Sequence, residues 1–269
     1  MSPSVVPSVD ASADSSVDAS VDPFWVAVDR DVIRVAGPDA LTYLHSQLSQ
    51  DVRPLAAGQS AWAFLLQPTG KVDVLLRVWR TGDEEFVLDT DAGFGDVMVA
   101  RLQRFKIRVK ADIEPLDWSA VAVREWHGVA PEGAPVAWGS GFDVLGPVPS
   151  APDGVREGST DELLAARIDA GWPAMGAEII VGETVPGELG ISDRAVSFTK
   201  GCYPGQELVE RMDSRGVTAP RVLQTVEVPA GTAPGDPLLR DGEPIGTITS
   251  VAGTRALAFV KRSALASAS

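Results

Sequence analysis

From Val32 to Ile113 the chain alternates short apolar runs, rich in β-branched and aromatic residues, with turn residues and two stretches of helical spacing, a pattern that few folds accept. Val32 to Val35 predicts a strand, and Gly37-Pro38-Asp39 opens a helix with Leu41, Leu44 and Leu48 on one face. Ala61 to Leu66 and Val72 to Trp79 predict two strands joined by Gln67-Pro68-Thr69-Gly70-Lys71, which has the Pro and Gly of a hairpin turn. A strand from Glu85 to Asp89, a helix around Val97 to Phe105 and a closing strand from Ile107 to Ile113 complete an α+β unit. Residues 128 to 160 are dense in Gly, Pro and Ala and predict loops around a short strand near Val136 and Phe142 to Val144. A helix over Asp161 to Ala170 follows, with Thr160 or Ser159 to cap it and Gly171 to end it. Beyond Pro220 the pattern changes to short strands over Val222 to Val228, Pro237 to Leu239, Glu243 to Val251 and Arg255 to Val260, which predict a small β-barrel.

A length of 269 residues calls for two or three compact units. The net charge of -14 argues against sequence-independent binding to nucleic acid, which draws on Lys and Arg meeting phosphates. One cysteine cannot form an internal disulfide, so a reducing cytoplasm is the expected setting. Residues 1 to 22 hold no Lys or Arg and repeat Ser-Val-Asp-Ala-Ser at 8 to 12 and 16 to 20, which predicts a disordered acidic tail without the basic start of a secretory signal. No later stretch is long and apolar enough to cross a bilayer, so no membrane partner is expected. With two histidines and one cysteine, no self-contained metal site is predicted.

That cysteine, Cys202, lies in Lys200-Gly201-Cys202-Tyr203-Pro204-Gly205-Gln206-Glu207, where polar and reactive side chains crowd between glycines. Polar groups of this kind are costly to bury unless paired, which marks a site. The same run also reads as a turn into a helix, with Pro204 at its first position, Glu207 and Arg211 four apart, and Gly216 at its end. Lys200, Arg211 and Arg215 bring positive charge near Cys202 along the sequence, the setting a reactive thiolate needs. Lys200 reads either as a point charge for an anion or the thiolate, or as a solvated surface lysine. Arg101, Arg104, Lys106, Arg108 and Lys110 form the main basic cluster, open to two readings: an anion sink, or a solvated helix end and strand face. Alternation would place Lys106, Arg108 and Lys110 on one strand face.

The residues resemble the YgfZ-type folate-binding proteins, relatives of the aminomethyltransferase (T-protein) of the glycine cleavage system. The strongest element is Lys200 to Glu207, supported by Gly37-Pro38-Asp39-Ala40 with Asp51-Val52, the Gly70-Lys71 hairpin, Arg104 to Arg108, and Arg167-Ile168-Asp169-Ala170-Gly171-Trp172-Pro173 followed by Gly176 and Glu178. The resemblance implies a three-domain, ring-like α+β fold: a first domain over 23–53 and 119–220, a ferredoxin-like domain inserted over 54–118, and a C-terminal β-barrel over 221–269. It implies tetrahydrofolate, or a derivative, as cofactor, and iron–sulfur enzymes or their assembly factors, including tRNA-modifying enzymes, as partners. Cys202 and Lys200 are then the candidate reactive groups, next to the folate pocket. Asp169, Glu188, Tyr203, Gln206, Glu207 and Arg211 are the candidate folate contacts. For Tyr203 a pterin-facing ring and a packed ring are both open; for Gln206 and Glu207, pterin contacts and helix capping. The T-protein carries paired acids just after its equivalent of Gly70-Lys71, whereas here Asp73 is followed by Val74. Aminomethyl transfer needs a positioned acid–base group, so an accessory role is favoured over glycine cleavage, with a folate-dependent one-carbon transferase or demethylase as the alternative.

Overall fold

The structure, a computed structural model, describes residues 22–214 and 219–266. The expected tail up to residue 21, Arg215 and the helix-ending Gly216 lie outside the described residues. In chain order the elements are β1 (Phe24–Val28), β2 (Arg30–Ala36), α1 (Ala40–Gln47), β3 (Ser60–Leu66), β4 (Val72–Arg80), β5 (Glu85–Asp91), α2 (Gly95–Arg104), β6 (Asp112–Leu116), β7 (Ser119–Arg124) and β8 (Gly141–Gly146). They continue with β9 (Arg156–Glu157), α3 (Thr160–Asp169), a 3-10 turn (Pro186–Glu188), α4 (Ser192–Ala195), α5 (Gln206–Ser214), β10 (Arg221–Glu227), β11 (Pro237–Arg240), β12 (Glu243–Ala252), β13 (Arg255–Lys261) and α6 (Arg262–Ala266).

The central sheet is antiparallel in the order β3-β4-β5-β2-β6, and both of its faces are covered. One face packs Ala63, Leu65, Val74, Leu76, Phe86 and Leu88 against Leu44, Leu48, Met98 and Leu102 of the α1 and α2 segments. The other sends Trp62, Phe64, Leu66 and Leu75 into a second core with Ile168, Trp172, Ile179 and Tyr203. Burial on both sides explains why β3 and β4 read as nearly continuous apolar runs rather than alternating ones. It also makes the two buried charged residues of β4, Asp73 and Arg77, conspicuous: they share the Leu75 face.

A smaller mixed sheet, β8-β7-β1-β9, is antiparallel except for the short β1·β9 pair. The C-terminal sheet, β10-β13-β12-β11, is antiparallel throughout. One side of it holds its own core of Val228, Ile248, Ala256, Ala258 and Val260, while Leu223, Leu257 and Phe259 join the second core. α3 is capped as expected, Ser159 accepting from the Glu162 N–H and Glu162 from the Ser159 N–H, and Gly171 follows in the left-handed region at φ 62°.

The closing strand is displaced from its expected place. Arg108 sits at φ 57° and Ile107 is exposed, so the chain turns there and pairs only from Asp112 to Leu116, alongside β2. Lys106, Arg108 and Lys110 therefore share no strand face, which corrects the alternation reading. Val136 lies in no strand, and β1 and β7 fall where the sequence reading placed no strands. The central sheet draws β2 from before residue 54 and its other four strands from after it, so the expected 53/54 boundary cuts across one sheet.

Candidate functional site

The Lys200–Glu207 run passes from core to surface and back. Lys200 and Tyr203 are buried, and Gly201 and Cys202 between them are exposed, so the thiol sits on a two-residue crest. Lys200 Nζ donates to the carbonyls of His45 and Leu48 and, at 3.2 Å, to that of Gln50, where the end of α1 leaves carbonyls without helical partners. An ammonium has three donors. All three are taken, so Lys200 is not a solvated surface lysine, and its ammonium is held on backbone carbonyls. Burial lowers it to about 8, against the pull of Asp51 and with the push of Arg53. Its Nζ lies 5.0 Å from the Tyr203 ring centroid.

Tyr203 belongs to the second core, and burial pushes its hydroxyl up to about 12, which favours the packed ring over the pterin-facing one. Gln206 Oε1 accepts from the Tyr203 N–H at 3.3 Å at the start of α5, an end-of-helix role. Glu207 and Arg211 stay exposed on that helix. Gly205 is at φ +85°, and a Cβ there would come within 2.5 Å of the Gln67 carbonyl oxygen and 2.9 Å of Gly70 Cα. Only glycine lets the motif seat on the β3–β4 hairpin this closely.

Asp169 and Glu188 are each held in an ion pair. Asp169 is half-exposed and pairs with Arg255 Nη1 at 2.8 Å. Glu188 is buried and takes Arg221 Nε at 2.9 Å, joining the 3-10 turn to β10. Glu178 is fully buried and accepts from Arg167 at 2.8 Å, Ser250 at 2.6 Å and the Ala174 N–H at 3.0 Å. Asp73 accepts from Gln67 Nε2 at 2.8 Å and lies 3.4 Å from Arg101 Nε. Arg101 also donates to the Leu66 carbonyl at 2.7 Å and is buried, so this member of the basic cluster is neither an anion sink nor solvated.

A cavity of about 420 Å³ opens where β1, β7 and β8 meet the central sheet and α3, with Trp62, Trp138, Arg30, Asp91, Arg124 and Arg167 in its wall. Its floor is a charge network that crosses between the two sheets. Arg77 binds Asp89 through two hydrogen bonds of 2.9 and 3.0 Å and Asp143 through one of 2.7 Å, while Arg124 meets the other oxygen of Asp143 at 2.7 Å. Arg30 adds a 2.8 Å bond to Asp89. The Arg124 guanidinium stacks 3.9 Å from the Trp138 ring centroid. Two buried N–H donors of side chains around the cavity, Trp62 Nε1 and Arg124 Nε, have no acceptor among the described residues. Arg124 and Trp138 also line an adjoining pocket of about 220 Å³ that contains Asp169. None of Lys200, Cys202, Tyr203, Gln206, Glu207, Arg211 and Glu188 lines either space. The sequence reading missed the network, whose signal was a charge within each of the apolar runs of β4, β5 and β8. Among the described residues no group of three or more His, Cys, Asp and Glu is placed to hold a metal ion, and no helix is long and apolar enough to cross a membrane.

Residues 220–269 match the family described as CAF17, C-terminal beta-barrel domain. An iron-sulfur cluster assembly factor IBA57 homolog, mitochondrial, from Chaetomium globosum is 27% identical over 77% of this chain and 56% of its own length. A tRNA-modifying protein YgfZ from Klebsiella pneumoniae is 27% identical over 74% of this chain and 70% of its own. The chain spans 66%, 56% and 54% of the first three curated relatives it matches. The solved glycine cleavage system aminomethyltransferase T from Bartonella henselae superposes with a TM-score of 0.66 over 90% of this chain and 79% of that one, at 17% identity, which shows the fold. The chain therefore has the α+β aminomethyltransferase fold, ends in a domain that matches the CAF17 C-terminal β-barrel, and is similar in sequence to proteins named YgfZ and IBA57.

Proposed function

We propose that this is a tetrahydrofolate-binding accessory protein for the assembly or repair of iron–sulfur enzymes, tRNA-modifying ones among them, acting through the Cys202 crest in a reducing cytoplasm. The observation that carries the folate part is the cavity: about 420 Å³ is within the range of small-molecule sites. Its wall holds two indoles, Trp62 and Trp138, together with the guanidiniums of Arg30, Arg124 and Arg167 and the carboxylates of Asp29, Asp91 and Asp143. These residues fit a flat heteroaromatic ring with an acceptor edge. Trp62 and Trp138 would flank such a ring, and Arg30, Arg124 and Arg167 would meet its acceptors or its anionic tail. When bound, a reduced folate supplies a carrier for one-carbon units. Asp169 contributes through the adjoining pocket, behind the Arg124–Trp138 stack.

Glycine-cleavage chemistry is disfavoured because Asp73, the one acid after the Gly70 turn, is already held by Gln67 and Arg101. The relatives' names supply the iron–sulfur and tRNA-modification parts of the proposal. The test is to measure cluster-dependent enzyme activities in cells lacking the gene, complemented with wild type or Cys202→Ala at matched expression. Wild type restores them and the variant does not; full restoration by Cys202→Ala would remove the thiol from the account.

A further inference from the structure

We propose that Lys200 is the positioning residue of the Cys202 crest: its ammonium, fixed on the carbonyls of His45, Leu48 and Gln50, sets where the thiol is presented. The inference rests on the reading that Cys202 acts on the surface. Its geometry is independent of that reading. The crest has two exposed residues, and each flank is a buried anchor, Lys200 before Gly201 and Tyr203 after Cys202. The two anchors meet, with Nζ 5.0 Å from the tyrosine ring centroid, so neither end of the crest shifts without disturbing the other. Gly201 has no neighbouring atom within 4 Å of where its Cβ would be, so nothing beside the crest restrains it there. The restraint comes from below.

The surface that receives the ammonium is itself built. Ser49 Oγ donates to the Ala195 carbonyl at 2.6 Å and accepts from the Phe64 N–H at 2.7 Å, and the Ser197 N–H reaches the Ser49 carbonyl at 3.0 Å. Gln50 Nε2 adds 3.1 Å to the Arg194 carbonyl. The end of α1 is thereby stitched to residues 194–197, and Lys200 is the last stitch before the crest. An ammonium carries its three donors on one nitrogen, so three carbonyls can converge on a single point, whereas arginine spreads its donors along a planar fork. That explains a lysine, rather than any cation, at this place in the motif.

Because the chain has one cysteine, a nitroxide can be attached to Cys202 without other changes. Its mobility is read in wild type, Lys200→Met and Lys200→Arg. A second nitroxide at the exposed position 153, in an Asp153→Cys, Cys202→Ala background, serves as the remote control. The expected result is a rotational correlation time at Cys202 shortened by about threefold or more in Lys200→Met, a smaller change in Lys200→Arg, and no change at 153. If Lys200→Met does not fold, Lys200→Arg is read instead, a shortened correlation time at Cys202 with none at 153 being the expected result. An unchanged Cys202 signal, or equal loosening at both labels, overturns the proposal, the second outcome assigning Lys200 to the fold as a whole. Full cellular rescue by Cys202→Ala would sink the functional reading while leaving the labels to judge the positioning role.

Discussion

Arg77→Met removes the centre of the charge network beneath the cavity while keeping an apolar chain in most of the same volume. In the native protein Arg77 gives two hydrogen bonds to Asp89, one to Asp143 and one of 2.8 Å to the Val136 carbonyl. The variant leaves Asp89, which is fully buried, with Arg30 alone, and Asp143 with Arg124 alone. Breaking a buried pair by removing one partner costs about 3–5 kcal/mol. Both carboxylates keep a second arginine, so the expected loss is near the lower end, about 3 kcal/mol. Urea denaturation measures it, and an unchanged slope confirms that the same surface is exposed on unfolding. The acid limb gives a second reading. Burial alone would raise the Asp143 carboxyl, but Arg124 and Arg77 outweigh burial and hold it below the usual range. A carboxyl lowered on folding adds stability above its unfolded value, near 3.9, and that stability is lost as pH falls through the folded value. Arg77→Met should therefore move acid unfolding to higher pH. A loss under about 1 kcal/mol with the acid limb unmoved would refute the claim that this network ties the two sheets together.

Three further outcomes follow from the motif. Gly205→Ala should cost about 1–3 kcal/mol in urea denaturation, because its left-handed backbone and the Gln67 carbonyl leave no place for a methyl; a neutral change would contradict the seating of the motif on the hairpin. Cys202→Ala removes a sulfur from an exposed crest, so its denaturation curve should move by less than about 1 kcal/mol, and a large shift would place Cys202 in the core. Lys200 titrates lower in the folded protein, about 8, than in the unfolded chain, near 10.4, so between those values the unfolded chain binds the extra proton and the group adds stability as pH rises. The stability of wild type minus that of Lys200→Met should grow from pH 8 to pH 10; a constant or shrinking difference would contradict the burial of this ammonium.

Elements with a strong local signal were legible from the sequence. β2, α1, the β3–β4 hairpin, α2, α3 and the four C-terminal strands carry their own periodicity, caps and turns, and the structure moves their ends by at most a few residues. β1 and β7 were not legible, because they are defined by pairing with each other across nearly a hundred residues. The displaced strand β6 shows the same limit: Ile107 to Ile113 has strand-like residues, but the left-handed Arg108 and the pairing with β2 decide where the strand begins. At the site, the motif announced itself by composition, yet its division of labour did not. Whether Lys200 turns inward depends on carbonyls about 150 residues earlier. The cavity network was hidden because Arg77, Asp89, Arg124 and Asp143 are unremarkable singly and become a network only when two sheets meet.

Calorimetric titration of tetrahydrofolate into wild type and into Leu163→Trp tests the central claim most directly, since Leu163 lies in the half-buried α3 wall of the cavity and an indole there takes up its space. The account predicts one saturable site on wild type and an affinity reduced about tenfold or more in the variant, with both proteins equally folded. No saturable heat with wild type, or equal affinity in the two proteins, would contradict it.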